Sequence, residues 1–155
     1  MATAIWCAAA HLLKLIWKTN FNVPLSRDIF FMTDIQTRAD LEQVMAQFYS
    51  RLLSDDRISY IFTDVAQIDL QTHLPKIVDF WEVVVLQSGQ YRKNVLQIHL
   101  DLHAHTRLKQ EHFQIWLGHL NKTVDEQFLG ANAENLKTRA LSVATVMQVK
   151  MQQLD

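Results

Sequence analysis

The stretch 97–105 reads QIHLDLHAH and places His99, His103 and His105, three of the chain's seven histidines, within seven positions. Imidazole binds transition metals and exchanges protons near neutral pH, so such a stretch raises three chemistries: a metal cage, a catalytic cluster, or one ligand with two bystanders. Spacing alone leaves all three open. His99 and His103, four apart, share one face of a helix, whereas His105 leaves it. The pair lacks the Glu that follows the first His of a zincin helix, and no third ligand stands at a fitting spacing, which argues against hydrolytic zinc. No serine occupies a nucleophile-elbow turn. The single cysteine, Cys7, lies near the N-terminus, and the carboxylates fall mainly on polar faces, where solvation accounts for them.

Other residues with polar tips stand inside apolar runs: Tyr49 beside Phe48, His73 ahead of Phe80 and Trp81, His99 between Ile98 and Leu100, and Trp116 between Ile115 and Leu117. Each alone reads as a core residue with a local hydrogen bond. Together they fit a shared task. A flat apolar macrocycle such as haem needs an apolar slot, a neutral imidazole nitrogen for its iron, and donors on the opposite face. A Tyr hydroxyl or Trp indole N–H directed at a partly negative diatomic ligand would stabilise it.

The elements that must position these groups are helical by period. Leu41, Val44, Met45, Phe48 and Leu52 follow i, i+3, i+4, i+7, i+11, and Thr37 with Asp40 gives a start signal. Residues 55–69 lose the period and read as a short helical turn and a connection. A second long helix is expected to start at Thr72, with Pro75 in its first turn, and to stop at Gly89. Val95, Ile98 and Leu102 predict a helix that gives way to a loop near His105, with His103 and His105 in the connection. Phe113, Trp116, Leu117, Leu120, Val124 and Phe128 form a stripe ended by Gly130. Leu136, Ala140, Val143 and Met147 mark a last helix begun by Asn132. The fold class is therefore all-α, with about five or six helices and without the even lengths of a simple four-helix bundle.

With 155 residues, 49% of them apolar, and only three Gly and two Pro, the chain suits one compact domain. Its net charge of −1 gives no electrostatic pull toward nucleic acid or anionic membranes. The apolar run AIWCAAAHLLKLIW carries His11 and Lys14 and is shorter than the roughly 20 residues that span a bilayer, so no stable membrane insertion is expected. One cysteine excludes an internal disulfide and is compatible with a reducing cytoplasm. Residues 1–31 read as an N-terminal extension, disordered or from an upstream start, and 32–155 as the folded domain opened by Met32.

From Met32 to about Met151 the motifs FYSRLL, YIFTD, HLPKIVDFW, IHLDLH, FQIWL and RALSVATVM occur in order. In these the chain resembles the group III truncated haemoglobins. The resemblance implies a shortened globin, a two-over-two helical sandwich around haem b. It places His99 as the proximal iron ligand, Tyr49, His73 and Trp116 on the distal side near a bound gas, and Phe62 and Ile77 against the macrocycle. Phe48, Leu102, Val143 and Met147 are carried over as further pocket walls, and Arg92 and His103 as candidates near the haem propionates.

The expected function is a cytoplasmic haem protein that reversibly binds O2, with NO and CO as further ligands. An alternative is a haem enzyme, with nitric oxide dioxygenase or peroxidase-like activity, drawing on an external electron donor or reductase. A third reading is a helical interaction module without haem. No catalytic residue is assigned, and nucleic acid is not an expected partner.

Overall fold

Thr37 and Asp40 cap the first helix reciprocally: the Asp40 N–H donates to Thr37 Oγ1 at 3.2 Å, and the Thr37 N–H donates to Asp40 Oδ2 at 2.8 Å. The computed structural model describes residues 32–154; the expectations for residues 1–31, the extension and Cys7 among them, lie outside that range. Helix α1 (Arg38–Leu53) buries Leu41, Val44, Met45, Phe48, Tyr49 and Leu52 along its apolar stripe. A π-helical turn (Ile61–Val65) occupies the connection.

Helix α2 (Leu70–Trp81) starts earlier than its sequence suggests, because Asp69 rather than Thr72 is the cap and accepts the Gln71 N–H at 3.1 Å. Pro75 consequently sits inside the helix. The carbonyl left without its N–H is that of Gln71, an exposed first-turn residue, so water can satisfy it. The helix runs on as a second π-helical turn (Glu82–Leu86) and breaks at Gln87, which takes a left-handed φ of 55°, two residues ahead of Gly89. Helix α3 (Val95–His105) is capped by Asn94, whose Oδ1 accepts the Gln97 N–H at 3.1 Å. It includes both His103 and His105, which corrects their expected place in the connection.

Helices α4 (Gln110–Gln127) and α5 (Ala131–Gln152) complete the fold. The start of α5 is capped across the molecule rather than by Asn132: Asp34 accepts the backbone N–H groups of Asn132 and Ala133, each at 2.9 Å. Asn132 itself ties back to the Ile35 carbonyl at 2.7 Å.

Helix α1 packs on α2 and α4, α4 packs on α5, and α3 lies against α5. The pairs α1/α2 and α4/α5 make a two-over-two sandwich, and no strand occurs among the described residues. No described helix is long and apolar enough to cross a membrane. The apolar interior is divided. One cluster gathers α1, α2 and parts of α4 and α5 around Phe48, Leu52, Val78 and Leu120; a smaller one joins Phe113, Ala144, Met147 and Met151. The partly buried Leu108 and Leu117 pack against both.

Candidate functional site

Between the two clusters lies a cavity of about 410 Å³, within the roughly 300–1,000 Å³ usual for small-molecule sites. Each helix contributes a face set by its period. Phe48 and Tyr49 come from α1; His73, Ile77, Phe80 and Trp81 from α2; Val95, Ile98, His99 and Leu102 from α3; His112, Phe113 and Trp116 from α4; and Val143, Ala144 and Met147 from α5. The first π-helical turn adds Ile61 and Phe62.

The polar groups in this apolar lining are oriented. The Nδ1 of His99 is 2.8 Å from the Val95 carbonyl, one turn back. A carbonyl can only accept, so Nδ1 carries the proton and Nε2 keeps a free lone pair. Burial pushes the His99 proton affinity down, against the contrary pull of that carbonyl, which favours the neutral ring. The Tyr49 hydroxyl stands 3.3 Å from His73 Nε2. Burial pushes the Tyr49 phenol well above its ordinary range and keeps it protonated. His73 is shifted down, first by burial and then by the nearby Lys76 and His99, so it too is neutral. Phe48 packs edge to face on both Tyr49 and Trp116, with centroids 5.4 Å apart in each pair, and Phe62 meets Tyr49 at 6.0 Å.

No protein-family model matches the chain. Over 80 residues it is 31% identical to the group 3 truncated haemoglobin of Campylobacter jejuni, a match that spans 50% of this chain and 61% of that protein. The crystal structure of the group III truncated haemoglobin from Campylobacter jejuni matches the fold with a TM-score of 0.69 at 23% identity, covering 77% of this chain and 95% of that one. The chain has the two-over-two fold of a truncated globin. A variant truncated haemoglobin from Tetrahymena pyriformis, crystallised in its Fe(III) form, shares the fold at a TM-score of 0.55 and 17% identity, over 67% of this chain and 84% of that one.

Within this fold, His99, Tyr49, His73, Trp116, Phe48, Phe62, Ile77, Leu102, Val143 and Met147 all line the one cavity. Arg92 and His103 do not. Arg92 is exposed on the segment before α3. His103 is buried, and its Nδ1 accepts the Leu108 N–H at 3.1 Å, which ties the turn between α3 and α4. His105 is exposed and donates from Nδ1 to the Asp101 carbonyl at 2.7 Å. The three histidines of QIHLDLHAH thus point to three different tasks. Among the described residues no group of three or more His, Cys, Asp or Glu side chains is placed to hold a metal ion.

The cavity also contains a histidine that the motifs do not single out. His112 is buried in its wall, with Nε2 3.2 Å from the Tyr60 hydroxyl. The signal for it was its position four residues before Trp116, which puts both on one face of α4.

Proposed function

We propose that this truncated globin holds haem b in the 410 Å³ cavity and reversibly binds a diatomic gas such as O2, acting in the cytoplasm with an external electron donor to keep the iron ferrous. The observation that carries the reading is His99. Its Nδ1–H is committed to Val95, and its Nε2 lone pair belongs to a ring lining the same apolar cavity as Tyr49 and His73. The donor set fits the group: one neutral imidazole, a lining dominated by aliphatic and aromatic side chains, and a small cluster of neutral donors.

When bound, haem would supply an iron able to take up O2, NO or CO. His99 would hold the iron through its Nε2, and the Val95 carbonyl holds the imidazole in the tautomer this requires and would enhance its basicity. Tyr49 and His73 share one hydrogen bond. With the His73 proton on Nε2, the Tyr49 oxygen accepts and its own hydrogen is free to point into the cavity. Trp116 adds an indole N–H in the same lining. These are preorganised neutral donors in a low dielectric, where a hydrogen bond to a partly negative ligand is strong. Phe48, Phe62, Ile77, Leu102, Val143 and Met147 keep water out.

The test is spectroscopic. The purified chain titrated with haemin should show a Soret band saturating at one haem per chain, and the reduced form should bind CO and O2 with shifted bands. Absence of a Soret band would favour the helical interaction module. Reductant-dependent turnover of nitric oxide or peroxide well above that of free haem would move the reading to the enzyme alternative.

A further inference from the structure

His112 lines the cavity, yet both of its ring nitrogens are engaged within the protein. Nδ1 accepts the backbone N–H of Lys109 at 3.1 Å, and Nε2 lies 3.2 Å from the Tyr60 hydroxyl. A neutral imidazole that accepts at Nδ1 carries its proton on Nε2, so here Nε2–H donates to the Tyr60 oxygen. The ring therefore serves the cavity as a wall, and its polar edge serves something else.

That edge joins two separate parts of the lining. Tyr60 directly precedes the π-helical turn Ile61–Val65, which brings Ile61 and Phe62 to the cavity, and His112 stands in the first turn of α4, ahead of Trp116. The same segment is fastened a second time, by the hydrogen bond between His119 Nε2 and Asp55 Oδ2 at 2.8 Å. His112 and His119 are seven residues apart, two turns along one face of α4. The two ties differ in place. Neither Asp55 nor His119 lines the cavity, whereas His112 does, and Tyr60, 38% exposed, closes the bond from the solvent side.

We propose that Tyr60 and His112 are a positioning pair: their hydrogen bond clasps the Ile61–Val65 turn to α4, and so sets how fast the cavity's occupant escapes and how fast small ligands enter. The proposal rests on the haem-binding reading above. Tyr60→Phe deletes one oxygen atom and keeps the ring. In the full haem-loaded chain, its Soret band should persist, while transfer of haem to excess apomyoglobin accelerates about two- to tenfold, the factor expected for one lost neutral hydrogen bond. Association of CO after flash photolysis should accelerate as well.

His112→Phe, which removes both bonds but leaves a ring in the wall, should lose haem at least as fast as Tyr60→Phe. Asp55→Asn, which weakens the outer tie, should lower the thermal midpoint and leave haem transfer within about twofold of the parent. Should His112→Phe fail to fold, Tyr60→Phe alone carries the decision. The clasp is overturned if Tyr60→Phe binds haem and matches the parent in both rates. It is equally overturned if Asp55→Asn speeds haem loss as much, since the effect would then be general loosening. A parent chain with no Soret band instead overturns the haem reading, and the clasp with it.

Discussion

The Tyr49 hydroxyl is 3.3 Å from His73 Nε2, and the two rings meet edge to face with centroids 5.6 Å apart. The phenol is thereby held in place from a second helix, and with the His73 proton on Nε2 its own hydrogen is free to reach the cavity. Tyr49→Phe keeps the ring packed against Phe48 and Phe62 and should retain haem. Its O2 dissociation, followed by stopped-flow displacement with CO, should be at least about tenfold faster, the scale of a hydrogen bond to a charged acceptor. Unchanged O2 kinetics would sink the role given to Tyr49.

Removing His99 should act on the cofactor itself. His99→Ala is expected to show no stable Soret band, and His99→Gly should regain one when free imidazole is added to the truncated side chain's space. Haem should raise the thermal midpoint of the parent chain, because a ligand that binds the folded form alone stabilises it. The same addition should leave the midpoint of His99→Ala nearly unmoved.

Stability should fall in acid partly through Asp34. Burial pushes its proton affinity up, but the N–H groups of Asn132, Ala133, Ile35 and Ala131 together hold the carboxyl below its ordinary value. For a group lowered on folding, the contribution is complete above the unfolded value, near pH 4, and is lost as pH falls through the folded one. Asp34→Ala should therefore cost about 1–2 kcal/mol near neutral pH, as for other lost helix caps. Denaturant midpoints for parent and variant should converge as pH falls below the unfolded carboxyl value of about 4; parallel curves would show that the carboxylate contributes nothing by its charge.

Gly130 is required by the same cap. A Cβ at this position would overlap the Asp34 carboxylate. Gly130→Ala should thus displace Asp34 from the start of α5 and destabilise the chain by about 1–2 kcal/mol. Because both changes remove one interaction, the double variant should be little worse than either single one. Additive losses in urea unfolding would contradict this.

The parts of the fold legible in the sequence are those set by neighbours along the chain. The stripe and capping pair of α1 involve residues within one or two turns, and so do the cavity faces His73–Ile77 and His99–Leu102. Pairing across the molecule is not encoded in spacing. Asn132 looked like the cap of α5, but the acceptor is Asp34, 98 residues away. His103 looked like a loop residue because the apolar period fades, yet α3 continues and buries it against the turn to Leu108. Pro75 pulled the expected start of α2 downstream, since its position five residues after Leu70 is tolerated only where the orphaned carbonyl is exposed. The resemblance supplied the partners of His99, which local pattern could not. It was silent on His112 and Tyr60, whose meeting depends on how the π-helical turn docks on α4.

The division of the apolar interior into two clusters has a consequence for the life of the protein in a cell. If haem fills the cavity as proposed, chains that lack it are expected to open more often to proteases around the gap between those clusters. Synthesis then sets only an upper limit on abundance. With haem as that group, as proposed above, the standing amount follows the supply of haem.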